Sequence, residues 1–425
     1  MQFKSIALSL SLALVLPACQ QADSPAQVAH ASEIAWREGD VADALAEAKE
    51  QGKPVILYWG AVWCPPCNQM KSTLFKDADF IAETEKFVPV YLDGDTAGAQ
   101  EWGERFGISG YPTVIILTPD GTEITRISSA TMANELPALL ETAAKRTTSI
   151  EALLAKAEDD TGSLSADDWR ILAGFDWRND PKHFSDLAKA GTLLDRLAGA
   201  APDAALKRRF GLLALAVSAQ KDDEGKVTLT AAQQANVAAV LEPILAAPAE
   251  VMANRQELTY DAAGLVSALP EGAKRDALEH SLIAAGDAIF ADESLSMTER
   301  VEALNIDVAL TAKDGKVPPD VLAKVHERAQ WADANAKDKM TRQSVIDDAA
   351  YLLHDAGDHA GAKRLLTAEL ERSDQPYYYM SRVLATEPGS SSATWALAVS
   401  LSYCPTAWAN AWDGNRIRAS ATNSA

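Results

Sequence analysis

The residues best suited to chemistry are Cys64 and Cys67, which lie three apart in Trp63-Cys64-Pro65-Pro66-Cys67. Thiols at that spacing either close a tight disulfide or stand as a reactive dithiol. The run before them, Val55-Ile56-Leu57-Tyr58-Trp59, has the β-branched and aromatic make-up of a strand, and Asn68 to Phe75 is compatible with a helix. A helix N-terminus favours the thiolate of the first cysteine. Two blander readings exist, a zinc half-site and an inert buried disulfide. A structural zinc needs four ligands, and no second C-x-x-C or C-x-x-H completes such a site.

The elements that must position this pair follow from pattern. Asp40 is a fair N-cap for an amphipathic helix over Val41 to Ala48, with Gly52 as its stop. After the cysteine helix, Asp77-Ala78-Asp79-Phe80 starts another. Phe87 to Asp93 alternates as a strand, and Ala97 to Phe106 reads as a helix ended by Gly107. Val114 to Leu117 is an apolar strand. Pro119-Asp120-Gly121 is a turn, Glu123 to Ile127 its return strand, and Ala133 to Ala144 a closing helix.

This βαβαββα order resembles the thioredoxin superfamily, with the dithiol after an early strand and Gly110-Tyr111-Pro112-Thr113 before a later one. The "KPVILYWGAVWCPPC … FVPVYLDGD … YPTVIIL" run is most similar to periplasmic thioredoxin modules of thiol-disulfide interchange proteins. The resemblance covers about a quarter of the chain. It implies an α/β thioredoxin-like domain over 32–146, a mixed sheet flanked by helices. It also implies an exposed, attacking Cys64, a buried resolving Cys67, and Trp63 packed beside the pair. Trp63, Tyr111 and Pro112 would bind substrate, the last two through a cis Tyr111–Pro112 bond and a free Tyr111 backbone. In the family Pro112 lies where a metal would sit, so no metal and no cofactor is expected. Two positions depart from the pattern. Tyr58 stands where thioredoxins carry a buried acid that moves the resolver's proton, which leaves water or another acid such as Asp93. Pro65-Pro66 removes two backbone N–H groups that could steady a thiolate.

The other two cysteines need separate accounts, because four in 425 residues do not make a disulfide scaffold. Met1 to Lys4 is a short basic start, and Ser5 to Leu16 is an apolar run too short to span a bilayer. Leu16-Pro17-Ala18-Cys19 resembles a bacterial lipobox, with Pro17 as a departure. The resemblance implies a signal peptide over 1–18, lipidation of Cys19, a tether over 19–31 and a periplasmic protein. Gln20 after the cysteine implies anchoring to the outer membrane. Cleavage after Ala29-His30-Ala31 is the alternative. Cys404 is either a core thiol, a third redox thiol or an intermolecular partner.

From Ile150 the strand signals stop, and good helix formers dominate an all-α region over 147–425. Asp167-Asp168-Trp169 and the Ser296-x-x-Glu299 capping box are helix starts. Residues 350–366 resemble one tetratricopeptide repeat, and no clean 34-residue period is legible elsewhere in the region. His354, Asp355, Asp358 and His359 read as a solvated inter-helix turn rather than a metal site. Tyr377-Tyr378-Tyr379 reads as a packing face, and 415–425 as a polar end. The region is either a spacer or a partner-binding surface.

The net charge of −21, from 39 basic and 60 acidic residues, argues against nucleic acid and against a polybasic membrane site. The expectation is therefore an exported, lipid-anchored thiol-disulfide oxidoreductase acting on envelope proteins. Its partners are exported protein thiols and disulfides and a membrane thiol-disulfide electron donor. In the alternative, a helical partner-binding lipoprotein carries the dithiol as a relay or regulatory element.

Overall fold

A computed structural model describes residues 33–372, apart from Gly39, 128–135, Asn179, Pro181 and 223–224, together with Val383. The expectations for Cys19, the signal peptide, the tether, the Tyr377 to Tyr379 run, Cys404 and the C-terminal end lie outside the described residues. So do the first three residues of the expected closing helix.

Five strands form one mixed sheet in the order β1-β3-β2-β4-β5. They are β1 (Arg37–Glu38), β2 (Val55–Gly60), β3 (Val88–Asp93), β4 (Thr113–Leu117) and β5 (Glu123–Ile127). β3 pairs in parallel with β1 and β2, whereas β4 pairs antiparallel with β2 and β5. The two-residue β1 was not anticipated, because two residues carry no alternation to read. The helices between are α1 (Val41–Gln51), α2 (Pro65–Ser72), α3 (Ala78–Thr84), α4 (Ala97–Phe106) and α5 (Leu136–Ala143). Their boundaries follow their caps. Asp40 accepts from the Ala42 N–H and Gly52 is left-handed, Asp77 accepts from Phe80, and Thr96 caps α4. α2 begins earlier than its apolar spacing suggests, since Pro65 at the first helical position loses no intrahelical bond.

Strand alternation sorts the core. Val55, Leu57 and Trp59 face α1 and α4, while Ile56 and Tyr58 face Met70 and Leu74 below α2. The second face does not end with the sheet. Its cluster runs on through Ile150, Trp169, Phe175, Leu194 and Phe210 into the helical region.

That region contains α6 (Ile150–Asp159), α7 (Ala166–Ala173), α8 (Leu187–Ala200) and α9 (Ala204–Ser218). A two-residue ribbon, β6 (Gln220–Lys221) and β7 (Val227–Thr228), follows. Then come α10 (Ala231–Leu245), α11 (Pro248–Ala253), α12 (Arg255–Glu257), α13 (Ala263–Ser267), α14 (Ala273–Ala291), α15 (Met297–Glu302), α16 (Asn305–Thr311), α17 (Pro319–Asn335), α18 (Lys339–Asp355) and α19 (His359–Arg372). The Ser296–Glu299 capping box forms as read; α7 is capped by Ser165, with Asp168 closing its box. Ala356 to Asp358 link α18 to α19; Asp358 lies in this turn as expected, but His354 belongs to the last turn of α18 and is buried rather than solvated, because that helix face packs inward. In the turn Asp358 accepts from the Gly361 N–H and meets His326 at 2.9 Å.

A buried ion network ties the sheet to the helices. Arg126 on β5 donates to both Glu123 oxygens (2.6 and 2.8 Å) and to the Phe106 carbonyl, and lies 3.4 Å from Asp180. Lys182 reaches Glu123 and Glu151, and His183 bridges Asp180 and Glu151. Glu123, Asp180 and His183 have the spacing of a metal trio, but Arg126 and Lys182 already neutralise the carboxylates. Burial opposes the His183 charge, yet Asp180 and Glu151 outweigh it and raise its pKa.

Arg126→Met would leave Glu123 and Asp180 short of a buried cation. We expect a loss of about 3–5 kcal/mol, read as a fall in the urea midpoint. Because the folded His183 pKa is raised, its contribution is complete below the ordinary imidazole value and is lost as pH climbs through the raised one. The difference in midpoint between wild type and His183→Gln should therefore shrink as pH rises through the raised His183 pKa, above the ordinary imidazole value.

Candidate functional site: the Cys64–Cys67 pair

α2 opens with four backbone N–H positions that have no intrahelical partner. Two are removed by Pro65 and Pro66. Of the other two, the Cys64 N–H donates to the Ala61 carbonyl (3.4 Å) and the Cys67 N–H to Cys64 Sγ at 3.2 Å, while the Asn68 N–H makes the first helical bond, to the Cys64 carbonyl (3.0 Å). Cys64 is thus the N-cap of α2, with its sulfur serving as the capping acceptor. The two sulfurs are joined as a disulfide, with Cα atoms 5.2 Å apart. When the pair is reduced, the same N–H and the helix dipole favour negative charge on Cys64.

Trp63 and Tyr111 wall one side, with ring centroids 6.1 Å apart. The Trp63 indole N–H donates to the Asp95 carboxylate (2.8 and 3.0 Å). The Tyr111 hydroxyl accepts from Gln100 (3.0 Å) and donates to the Gly94 carbonyl (3.3 Å). Burial pushes the Tyr111 phenol up, against the Gln100 hydrogen bond. Tyr111–Pro112 is cis, as the resemblance implied. Beside these rings opens a cleft of about 520 Å³ lined by Asp95, Gln100, Glu104, Ser109 and Gly110. Gly94 lets Tyr111 approach closely: a Cβ there would fall 2.3–2.5 Å from the tip of the Tyr111 side chain, which would have to shift.

Tyr58, at the expected acid position, is fully buried between Trp36, Phe75 and Tyr91. Its hydroxyl has no hydrogen-bond partner among the described residues. Burial, and then Tyr91, hold its pKa well above the ordinary phenol value. It stays neutral at physiological pH and does not replace a carboxylate as a proton acceptor. Asp93, the substitute considered from sequence, ends β3 and accepts from the Asp95 N–H (3.1 Å).

One expectation is reversed. Cys64 was to be exposed, yet it is 1% exposed and Cys67 0%. Both share a buried cluster with Trp63, Val301, Val345, Ile346 and Ala349 of the helical region. The physical reason is the packing of α18 against α2. Asn68 Nδ2 donates to Gln343 Oε1 (2.9 Å) and Gln69 Nε2 to Ser296 Oγ (2.7 Å). Sequence reasoning missed Asn68, Gln69, Ser296 and Gln343, because partners 227 and 275 positions apart leave no local signal. The one available hint was two amides on α2 just after the cysteines.

A family model described as a thioredoxin-like domain matches residues 41–144. Over 82 residues the chain is 30% identical to thiol:disulfide interchange protein DsbD 1 of Pseudomonas aeruginosa, covering 19% of this chain and 14% of that protein. The chain therefore spans only about 14% of the length of that relative. It is 33% identical over 100 residues to thioredoxin H-type of Oryza sativa subsp. indica, covering 23% of this chain and 75% of that one. A solved thioredoxin from Thermus thermophilus aligns at 23% identity and a TM-score of 0.26, over 31% of this chain and 98% of its own.

Two substitutions probe the walls of the site. Gly94→Ala forces Tyr111 aside and should cost about 1–3 kcal/mol of stability, seen as a lower thermal midpoint. Tyr58→Phe deletes an unpartnered buried hydroxyl, and should leave that midpoint unchanged or raise it.

Proposed function

Residues 41–144 make this chain a member of the thioredoxin family, and on that premise we propose that it is an exported thiol-disulfide oxidoreductase anchored to the outer membrane through Cys19. The carrying observation is the Cys64–Cys67 disulfide at the N-terminus of α2, with a backbone donor on Cys64 Sγ. In the reducing direction the Cys64 thiolate attacks a substrate disulfide. A Cys64–substrate bond forms, and the other substrate sulfur leaves as a thiolate and takes up a proton. Cys67, deprotonated, then attacks Cys64 Sγ. The second substrate thiol is released and the Cys64–Cys67 bond is restored. Two electrons pass to substrate, so a thiol donor must reduce the pair again, a role fitted to a membrane thiol-disulfide carrier. With Tyr58 neutral, the Cys67 proton leaves by water.

The substrates are disulfides of envelope proteins. The helical half supplies partner recognition, a role supported by a cleft of about 310 Å³ lined by His326, Asp333, Asp358 and Arg364. A second reading, in which the helical half is the functional surface and the dithiol a regulatory element, is favoured by the burial of the disulfide.

Cys64→Ser should abolish reduction of a protein disulfide by the purified, dithiol-fed protein. Cys67→Ser should accumulate mixed disulfides through Cys64, visible on non-reducing gels. Turnover by Cys64→Ser equal to wild type would sink the oxidoreductase reading. For the anchor, radiolabelled fatty acid should be incorporated by the wild-type protein in a bacterial host and lost in Cys19→Ser.

A further inference from the structure

Disulfide exchange needs a third sulfur in line with the S–S bond, and here neither Cys64 nor Cys67 offers surface for that approach. Part of the cover is the redox domain's own, from Ala61, Trp63 and Tyr111. The rest comes from the helical region, where α15 and α18 bring Val301, Val345, Ile346 and Ala349 into one buried cluster with the two cysteines. We propose that α15 and α18 form an intramolecular lid over the dithiol, latched by the Asn68–Gln343 and Gln69–Ser296 hydrogen bonds, and that the pair reacts only when the lid lifts from α2.

The two attachments between the halves differ in kind. At β5, Arg126, Glu123 and Asp180 are joined as buried ions beside a continuous apolar core, and parting them would strand charge. At α2 the specific bonds are neutral amide and hydroxyl pairs, which water replaces at little net loss. Apolar surface is buried at both attachments, so the difference lies in the polar bonds: parting the Asn68–Gln343 and Gln69–Ser296 pairs strands no charge, whereas parting Arg126 from its carboxylates does. Ser296 also caps α15, whose Glu299 pairs with buried Arg255 at 2.8 Å. The lid side of the latch is thus rigid, and opening moves α15 and α18 as a body. Substrate choice would then include the ability to displace this surface from α2.

The inference rests on the dithiol being the reactive site, and its test reads access rather than turnover. A water-soluble trialkylphosphine reduces a disulfide to two thiols while taking oxygen from water. The rate at the Cys64–Cys67 disulfide is followed in the full chain by acid quench, alkylation and peptide mass spectrometry, which separates it from Cys19 and Cys404. The folded wild type should be reduced at least about 100-fold more slowly than the same chain in urea, as for a locally opened site. Gln343→Ala and Ser296→Ala should each speed reduction about fivefold, and the pair about 25-fold. Circular dichroism establishes that the variants are folded; if they are not, the wild-type comparison decides alone. Reduction as fast in the folded protein as in urea overturns the lid, and so do folded variants with unchanged rates. A protected disulfide in a protein that fails to reduce substrate would keep the lid and remove the oxidoreductase reading. Catalysis with an unprotected disulfide would do the reverse.

Discussion

Helix α2 must satisfy two opposite faces. Met70 points into the sheet's core, while Asn68 and Gln69 carry amides that would meet water in an isolated domain. In this chain they meet Gln343 and Ser296 instead, and both residues fall to a few per cent exposure. Burying amides without partners costs roughly 1–3 kcal/mol each, so α15 and α18 have to arrive with matching groups in register. Once they do, Cys64 and Cys67 between those amides and Trp63 lose their surface too. The state of the dithiol is therefore a consequence of how the helical half docks.

Docking is enforced from the far side of the sheet. The apolar cluster below β2 and β4 continues into α6 through α9, and the Arg126 network closes over the joint. Buried ion pairs contribute little net stability, but they are costly to break singly, so they favour one register over neighbouring ones. A helical region anchored at β5 and long enough to curl back reaches α2 with its later helices. The distance in sequence between Asn68 and Gln343 measures that path.

Chemistry at the site reflects the strand beneath it. Tyr58 places a phenol, where the family resemblance implied a carboxylate, in an aromatic group of Trp36, Phe75 and Tyr91. Packing gains and proton transfer loses, since the phenol keeps its proton where a carboxylate would accept one. Among the polar groups beside the sulfurs, the Cys67 N–H acts on Cys64 directly and Asp95 holds Trp63.

Several local features of the chain were legible to the residue, though the two-residue β1 and the start of α2 were not. The α4 limits, the Asp40 and Ser296 caps, the Gly52 stop and the β5 return strand all follow from periodicity and capping, which act over a few positions. So did the family, since Cys64-Pro65-Pro66-Cys67 and Tyr111-Pro112 stand within ordinary reach of pattern. The sequence by itself determined that a dithiol sits at a helix start and that a long helical region follows. Tertiary structure alone decided that the second covers the first. Hydrogen bonds between residues more than two hundred positions apart depend on the summed geometry of every helix between them, and no stretch of sequence carries that sum.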